Sequence, residues 1–169
     1  MPAVPEDHRF EQFFFDAPTV RRLATIAMGF RRPVLLCMPS LAERLDASGH
    51  PYRLLDRDVR FQDLKGWKRW DLLQPELLFE DFDAIFCDPP FANVTLRQLS
   101  RAIDTLAASL STPPAVHIAY TDTREAALLQ AFAHHGLCRH FGPLGYRTVK
   151  ERTQARIAWY GPPMGHPAG

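Results

Sequence analysis

Apolar residues along the chain follow two alternating rhythms. Val20, Leu23, Ala24 and Ala27 recur at helical spacing while Arg21 and Arg22 face away, which predicts an amphipathic helix begun near Asp16 and ended by Gly29. The next run, Pro33-Val-Leu-Leu-Cys-Met38, is continuously apolar, as a parallel strand buried on both faces is. Ser40-Leu-Ala-Glu43 then has the spacing of a capping box, in which Ser40 accepts from the Glu43 N–H and Glu43 reaches back to the Ser40 N–H. Strand is expected to pass straight into helix.

The alternation recurs. Tyr52–Asp56, Asp83–Asp88 and Ala115–Tyr120 read as second, third and fourth strands, with helical stretches near 95–109 and 122–135. Strands alternating with helices predict an α/β fold, mostly parallel sheet with helices on both faces. The end of the chain differs: strand-like runs near 138–142 and 154–160 bracket the basic segment Gly145–Arg152, which predicts a C-terminal antiparallel hairpin at one sheet edge. A length of 169 residues suits a single domain over 1–169, with 1–10 and 161–169 as flexible termini, and leaves no room for a separate recognition domain.

Composition narrows the classes. Hydrophobic residues make up 46% of the chain, yet no apolar run approaches the ~20 residues that span a bilayer, so no membrane partner is expected. The first residues lack the basic region and apolar stretch of a signal peptide, which makes the cytoplasm the expected compartment. Cys37, Cys87 and Cys138 are widely spaced and odd in number, so no disulfide framework is expected. Twenty Lys and Arg against nineteen Asp and Glu give a net charge of +1, too little for an overall pull toward nucleic acid, though a local basic patch could supply one.

The chemistry centres on Asp88-Pro89-Pro90-Phe91. In an open α/β sheet, ligands bind outside the carboxyl ends of the strands, and Asp88 directly follows the third strand. Two prolines, each with φ fixed and no N–H, hold the following backbone extended. This stiff turn can aim the Asp88 carboxylate and the Pro89 carbonyl at a substrate amine, while Phe91 offers a stacking face. Methyl transfer from a sulfonium donor to nitrogen needs such acceptors, because the amine must be oriented and its departing proton accepted; prepaid orientation is worth at most ~7–11 kcal/mol. Without further context, an ordinary turn after a strand reads as well. At the start of the next helix, which Pro39 opens, the N-terminus at Ser40 can present backbone N–H groups and a positive dipole to the donor's carboxylate, although the glycine-rich loop usual at this position is absent. Asp56 and Asp58 both qualify as the acidic residue that accepts from ribose hydroxyls.

The tetrapeptide resembles the (Asp/Asn)-Pro-Pro-(Phe/Tyr/Trp) motif of amino methyltransferases. Nearly the whole chain resembles the N6-adenine methyltransferase-like family, through Gln12-Phe-Phe-Phe15, Leu36-Cys-Met-Pro-Ser40, Asp56-Arg-Asp-Val-Arg-Phe61 and Asp83 to Phe91. That family includes ribosomal-RNA adenine methyltransferases and elongation-factor lysine methyltransferases. The resemblance implies a single Rossmann-like class I domain and S-adenosyl-L-methionine as cofactor. It aligns Asp58 with the family's acidic residue, places Phe14 near the donor and Gln12 and Phe13 near the target, and assigns Asp88, Pro89, Pro90 and Phe91 to catalysis.

Tyr146, Arg147, Lys150 and Arg152, with Arg156 and Trp159 nearby, could hold phosphates while an aromatic stacks on a base, or form a solvated hairpin. His134, His135, Cys138 and His140 match no zinc signature, and no metal is expected. The acceptor is therefore expected to be an exocyclic amine, adenine N6 in RNA or DNA first and protein lysine second; a partner subunit is possible. The alternative from another class is a non-catalytic RNA- or partner-binding module that keeps the fold.

Overall fold

The computed structural model of the chain describes residues 4–7, 14–90, 92–149 and 151–164. The first helix, α1 (Ala17–Ala27), is capped by Asp16, whose Oδ1 accepts from the Thr19 N–H at 2.9 Å. Pro18 sits in the first turn, where its missing N–H removes no helical bond. Leu23, Ala24 and Ala27 are buried, as their spacing predicts.

Seven strands form one sheet: β1 (Pro33–Leu36), β2 (Arg53–Asp56), β3 (Trp67–Arg69), β4 (Ala84–Cys87), β5 (Ala115–Thr121), β6 (Cys138–Phe141) and β7 (Ile157–Gly161). Their order is β3-β2-β1-β4-β5-β7-β6. The first five run parallel, and β7 is antiparallel to both β5 and β6. The continuous apolar runs are explained by burial on both faces. Leu35, Leu54 and Phe86 pack with Leu23 of α1 and Leu41 of α2 (Pro39–Ala47). Val34, Leu36 and Ile85 pack on the other face with Leu99 and Ile103 of α3 (Leu96–Ala107) and Leu128 of α4 (Glu125–Ala131). Burying each such aliphatic side chain contributes about 1.5–3 kcal/mol. No helix among the described residues is long and apolar enough to cross a membrane.

The predicted capping box at Ser40 does not form. Pro39 occupies the first helical position, so Met38 becomes the N-cap and has no side-chain cap bond, while Ser40 is buried inside the first turn. The capping box in the molecule belongs to α3, where Thr95 and Gln98 bond reciprocally. The sequence reading also missed β3, an edge strand whose half-exposed Trp67 and exposed Lys68 and Arg69 show no apolar run. The stretch 122–135 is broken: Phe132 leaves the helical region, and 3-10 turns flank α4. Gly161, assigned by sequence to the terminal segment, is buried at the end of β7.

β6 and β7 pair as expected, but the segment between them is not a simple hairpin loop. Residues 144–149 fold back across the sheet, and a short helix, α5 (Glu151–Gln154), leads into β7. Tyr146 bridges to Phe15, and the Arg147 N–H donates to the Phe14 carbonyl at 2.9 Å. The crossing is tight at Gly145: its carbonyl accepts from the Asp16 N–H at 2.9 Å, and a Cβ there would lie 2.0 Å from Asp16 Oδ2. Only glycine allows the two segments to meet this closely.

Candidate active site

Because β1, β2 and β4 are parallel neighbours, their carboxyl ends lie along one edge of the sheet. The strand order runs outward from β1 through β2 to β3 and then resumes with β4 on the other side of β1, so the β1–β4 boundary is the switch point at which open α/β sheets hold ligands. A cavity of about 430 Å³ opens there, within the range of small-molecule sites. Cys37, Met38, Pro39 and Ser40 line it from the β1–α2 junction, Asp56 and Arg57 from the end of β2, and Asp88, Pro89 and Pro90 from the end of β4. Phe14, Phe15 and Tyr146 form an aromatic wall.

Asp88 stands where the sequence motif predicts, half-buried at the cavity. Its backbone N–H donates to the Leu36 carbonyl at 3.2 Å, which ties the motif to β1. Tyr146 donates its hydroxyl to Asp88 Oδ1 at 3.1 Å, and the Tyr146 and Phe15 rings lie 4.8 Å apart. Burial pushes the Asp88 carboxyl up to about 8, and the Tyr146 hydroxyl only partly offsets it. The carboxyl is therefore mostly protonated at neutral pH, and presents an acceptor and a donor side by side. Burial likewise raises the Tyr146 phenol well above its ordinary range, with the Asp88 charge adding to it. After the prolines, the Pro90 carbonyl accepts from the N–H groups of Asn93 and Val94, both of which line the cavity.

At the end of β2, where both Asp56 and Asp58 qualify and the resemblance favours Asp58, the geometry sets Asp56 at the cavity wall. Both Asp58 oxygens accept from the Arg60 guanidinium at 2.8–3.1 Å, and the residue is not among those lining the cavity. Asp56 lines it instead. Its Oδ1 accepts from the Asp58 N–H at 2.9 Å, and burial raises its carboxyl to about 6. The α2 N-terminus also faces the cavity: Ala42 makes the first intrahelical bond, to the Met38 carbonyl at 3.1 Å, and no side chain among the described residues caps the N–H groups of Ser40 and Leu41 ahead of it. Cys37 adopts φ 57°, a left-handed conformation rare for residues other than glycine. The glycine-free turn is thus built on a strained residue, at a cost of order 1–3 kcal/mol.

Several expected contacts are not brought together. Arg147 lies over the Phe14 ring, 5.6 Å from its centroid, and neither it nor Arg152 lines the cavity. Arg156 is near Asp122 at 3.6 Å, and Trp159 is fully buried against Phe86, so its ring is closed to any base. Gln12, Phe13, Phe91 and Lys150 lie outside the described residues. The sequence reading missed the far wall, Trp70, Asp71, Leu72 and Leu73, which follows the overlooked β3, and also Thr148, Val149 and Thr153.

A profile of the family described as probable N6-adenine methyltransferase matches residues 6–154. The chain belongs to this methyltransferase family. No curated protein matches the sequence significantly. Solved structures with the same fold include the branched-chain polyamine synthase of Thermus thermophilus in complex with N4-aminopropylspermidine and 5'-methylthioadenosine, with TM-score 0.66, 18% identity and coverage of 93% of this chain and 59% of that one. The N-methyltransferase NodS of Bradyrhizobium japonicum WM9, in complex with S-adenosyl-L-homocysteine, has TM-score 0.58 and 15% identity, covering 95% and 94%. Magnesium protoporphyrin IX methyltransferase of Synechocystis PCC 6803, with bound S-adenosylmethionine, has TM-score 0.56 and 16% identity, covering 86% and 78%. The likeness establishes the Rossmann-like methyltransferase fold that the sequence predicts.

Proposed function

We propose that this member of the N6-adenine methyltransferase family uses S-adenosyl-L-methionine to methylate an exocyclic amine, with adenine N6 in nucleic acid as acceptor. The cavity suits the donor. Asp56, desolvated at the cavity wall, would accept from ribose hydroxyls. The uncapped N–H groups of Ser40 and Leu41 would receive the amino-acid carboxylate. Trp70 to Leu73 and Phe14 would cover the adenine moiety. When bound, the donor supplies an electrophilic methyl group on a sulfonium sulfur.

The observation that supports the acceptor assignment is the Asp88 carboxyl held by Tyr146 at the cavity, where burial favours its protonated form. Its carbonyl oxygen can accept from an adenine N6–H while its hydroxyl donates to N1, and the Pro89 carbonyl takes the second N6–H. Together they would aim the nitrogen lone pair at the donor's methyl group, and the proton lost from N6 after transfer would pass to water, since a neutral carboxyl cannot take it. A lysine amine offers no adjacent ring acceptor, so it would leave half of this pairing unused. A flipped or unpaired adenine has the required edge exposed.

Incubation with methyl-labelled donor and separate pools of RNA, DNA and protein tests the reading. Label in N6-methyladenine after nuclease digestion is the expected result. Asp88→Ala should abolish it while donor affinity by calorimetry stays within about tenfold. Label confined to protein would overturn the adenine assignment, and no donor binding at millimolar concentration would overturn the enzymatic one.

A further inference from the structure

Asp104 of α3 and the consecutive His134 and His135, in the 3-10 turn after α4, come together across 30 residues of sequence. His134 Nε2 lies 3.0 and 3.2 Å from the two Asp104 oxygens, and His135 Nε2 lies 3.0 Å from Oδ1. One ligand atom from each residue falls within 4.8 Å of the other two. An ion with bonds of ~2.1 Å in tetrahedral geometry separates its ligand atoms by about 3.4 Å. Each imidazole would therefore need to part from Asp104 by only a few tenths of an ångström to admit one.

The cluster is held in advance of any ion. Leu99 and Ile103 of α3 share a core cluster with Leu128 and Phe132, and Ser100 Oγ donates to the Ala131 carbonyl at 3.4 Å, so the two elements are fixed against each other. Gly136, at φ 61°, ends the turn that presents both imidazoles. The His135 side chain is 11% exposed and packs beside Phe132, whereas His134 and Asp104 are about half exposed, at 53% and 48%. One ligand is anchored and two are open to the ion. Two imidazoles with one carboxylate suit a borderline divalent ion such as zinc; an all-oxygen set would suit magnesium or calcium. None of the three lines the cavity, so the cluster is separate from the methyl-transfer site.

We infer that Asp104, His134 and His135 form a surface site for a zinc-class divalent ion, with water completing the coordination, that clamps the end of α4 onto α3. Sequence spacing could not show it, because the carboxylate comes from a different helix.

The full chain, prepared without a histidine tag, is titrated with zinc chloride and followed by calorimetry, and its melting temperature is measured with and without the metal. One ion should bind per chain with micromolar or tighter affinity, raising the melting temperature by several degrees. Asp104→Asn and His134→Gln, both at exposed positions, should melt within a few degrees of the parent without metal and each weaken zinc at least tenfold. Cys138→Ser should leave affinity within threefold. Binding that survives either of the first two substitutions, binding lost in Cys138→Ser, or saturation only above about 1 mM would overturn the assignment.

Discussion

Replacing Asp88 with Asn tests the electrostatics of the site without removing its shape. Tyr146 can still donate to the side-chain oxygen at position 88, but the group can no longer ionise. In the folded chain burial holds the Asp88 carboxyl at about 8, against 3.8 for an unperturbed aspartate. Between these values the folded state keeps a proton that the unfolded state has lost, so the slope of stability with pH is negative. The contribution is fully present below pH 4 and is lost as pH rises through 8. Over pH 6.5 to 8 it amounts to about 2 kcal/mol, at 1.36 kcal/mol per unit. Asp56, whose carboxyl is held at about 6, is present in both proteins and cancels in their difference. For a chain of this size 2 kcal/mol corresponds to about 4–8 °C. Urea titrations of both proteins at half-unit steps should show the parent losing stability relative to Asp88→Asn, the curves diverging by about 2 kcal/mol while the contribution of His117, common to both, cancels. Parallel curves would refute the reasoning, since Asp88 would then titrate in the same range folded and unfolded. Activity adds a second reading: the Asn amide keeps a donor beside an acceptor, so adenine methylation should be reduced but not abolished.

His117 has the opposite sign. It is buried against Phe86 and Trp159, and burial, with His140 adding to it, holds its imidazole down to about 4. The unfolded chain therefore gains a proton below about 6.5 that the folded chain refuses, and stability is lost as pH falls from 6.5 to 4, by up to about 3 kcal/mol. His117→Gln should flatten that acid limb in thermal melts at pH 4.5 to 6.5; an unchanged slope would refute it. Gly145→Ala should drive a methyl into Asp16, disturb the α1 cap and cost at least 2 kcal/mol, seen as a fall of about 4–8 °C in melting temperature. Asp56→Asn should weaken donor binding at least tenfold by calorimetry, whereas Asp58→Asn, whose carboxylate is engaged by Arg60, should change it less than threefold.

The sheet was legible because its central strands are buried on both faces, which leaves apolar runs as plain as Val34 to Leu36 and Ile85 to Cys87. Asp88 was legible for a related reason: local chain stiffness and its place at a strand end are both sequence properties. What was hidden depends on neighbours distant in sequence. Asp56 and Asp58 are two residues apart, and only the position of Arg60 decides which carboxylate is left for the cavity. Trp70 to Leu73 follow an edge strand with too few apolar residues to register. Ser40 was misread because a capping pattern and a proline competed for the same helix start, and the proline prevailed. Asp104 carried no signal at all, since its partners lie on another element.

The bridge from Phe14 and Phe15 to Tyr146 and Arg147 has a consequence for synthesis. Every parallel strand that carries a cavity residue is complete by Cys87, yet the aromatic wall closes only when a segment near residue 146 arrives, and β7 must then enter between β5 and β6. On a ribosome the chain would emerge with its motif in place but its pocket open on one side. Ligand binding would begin only after the segment near residue 146 and β7 had been made, so a product released before that point would hold neither donor nor acceptor. Capacity for chemistry is in this sense a test of completeness, written into the order in which the two halves of one wall are translated.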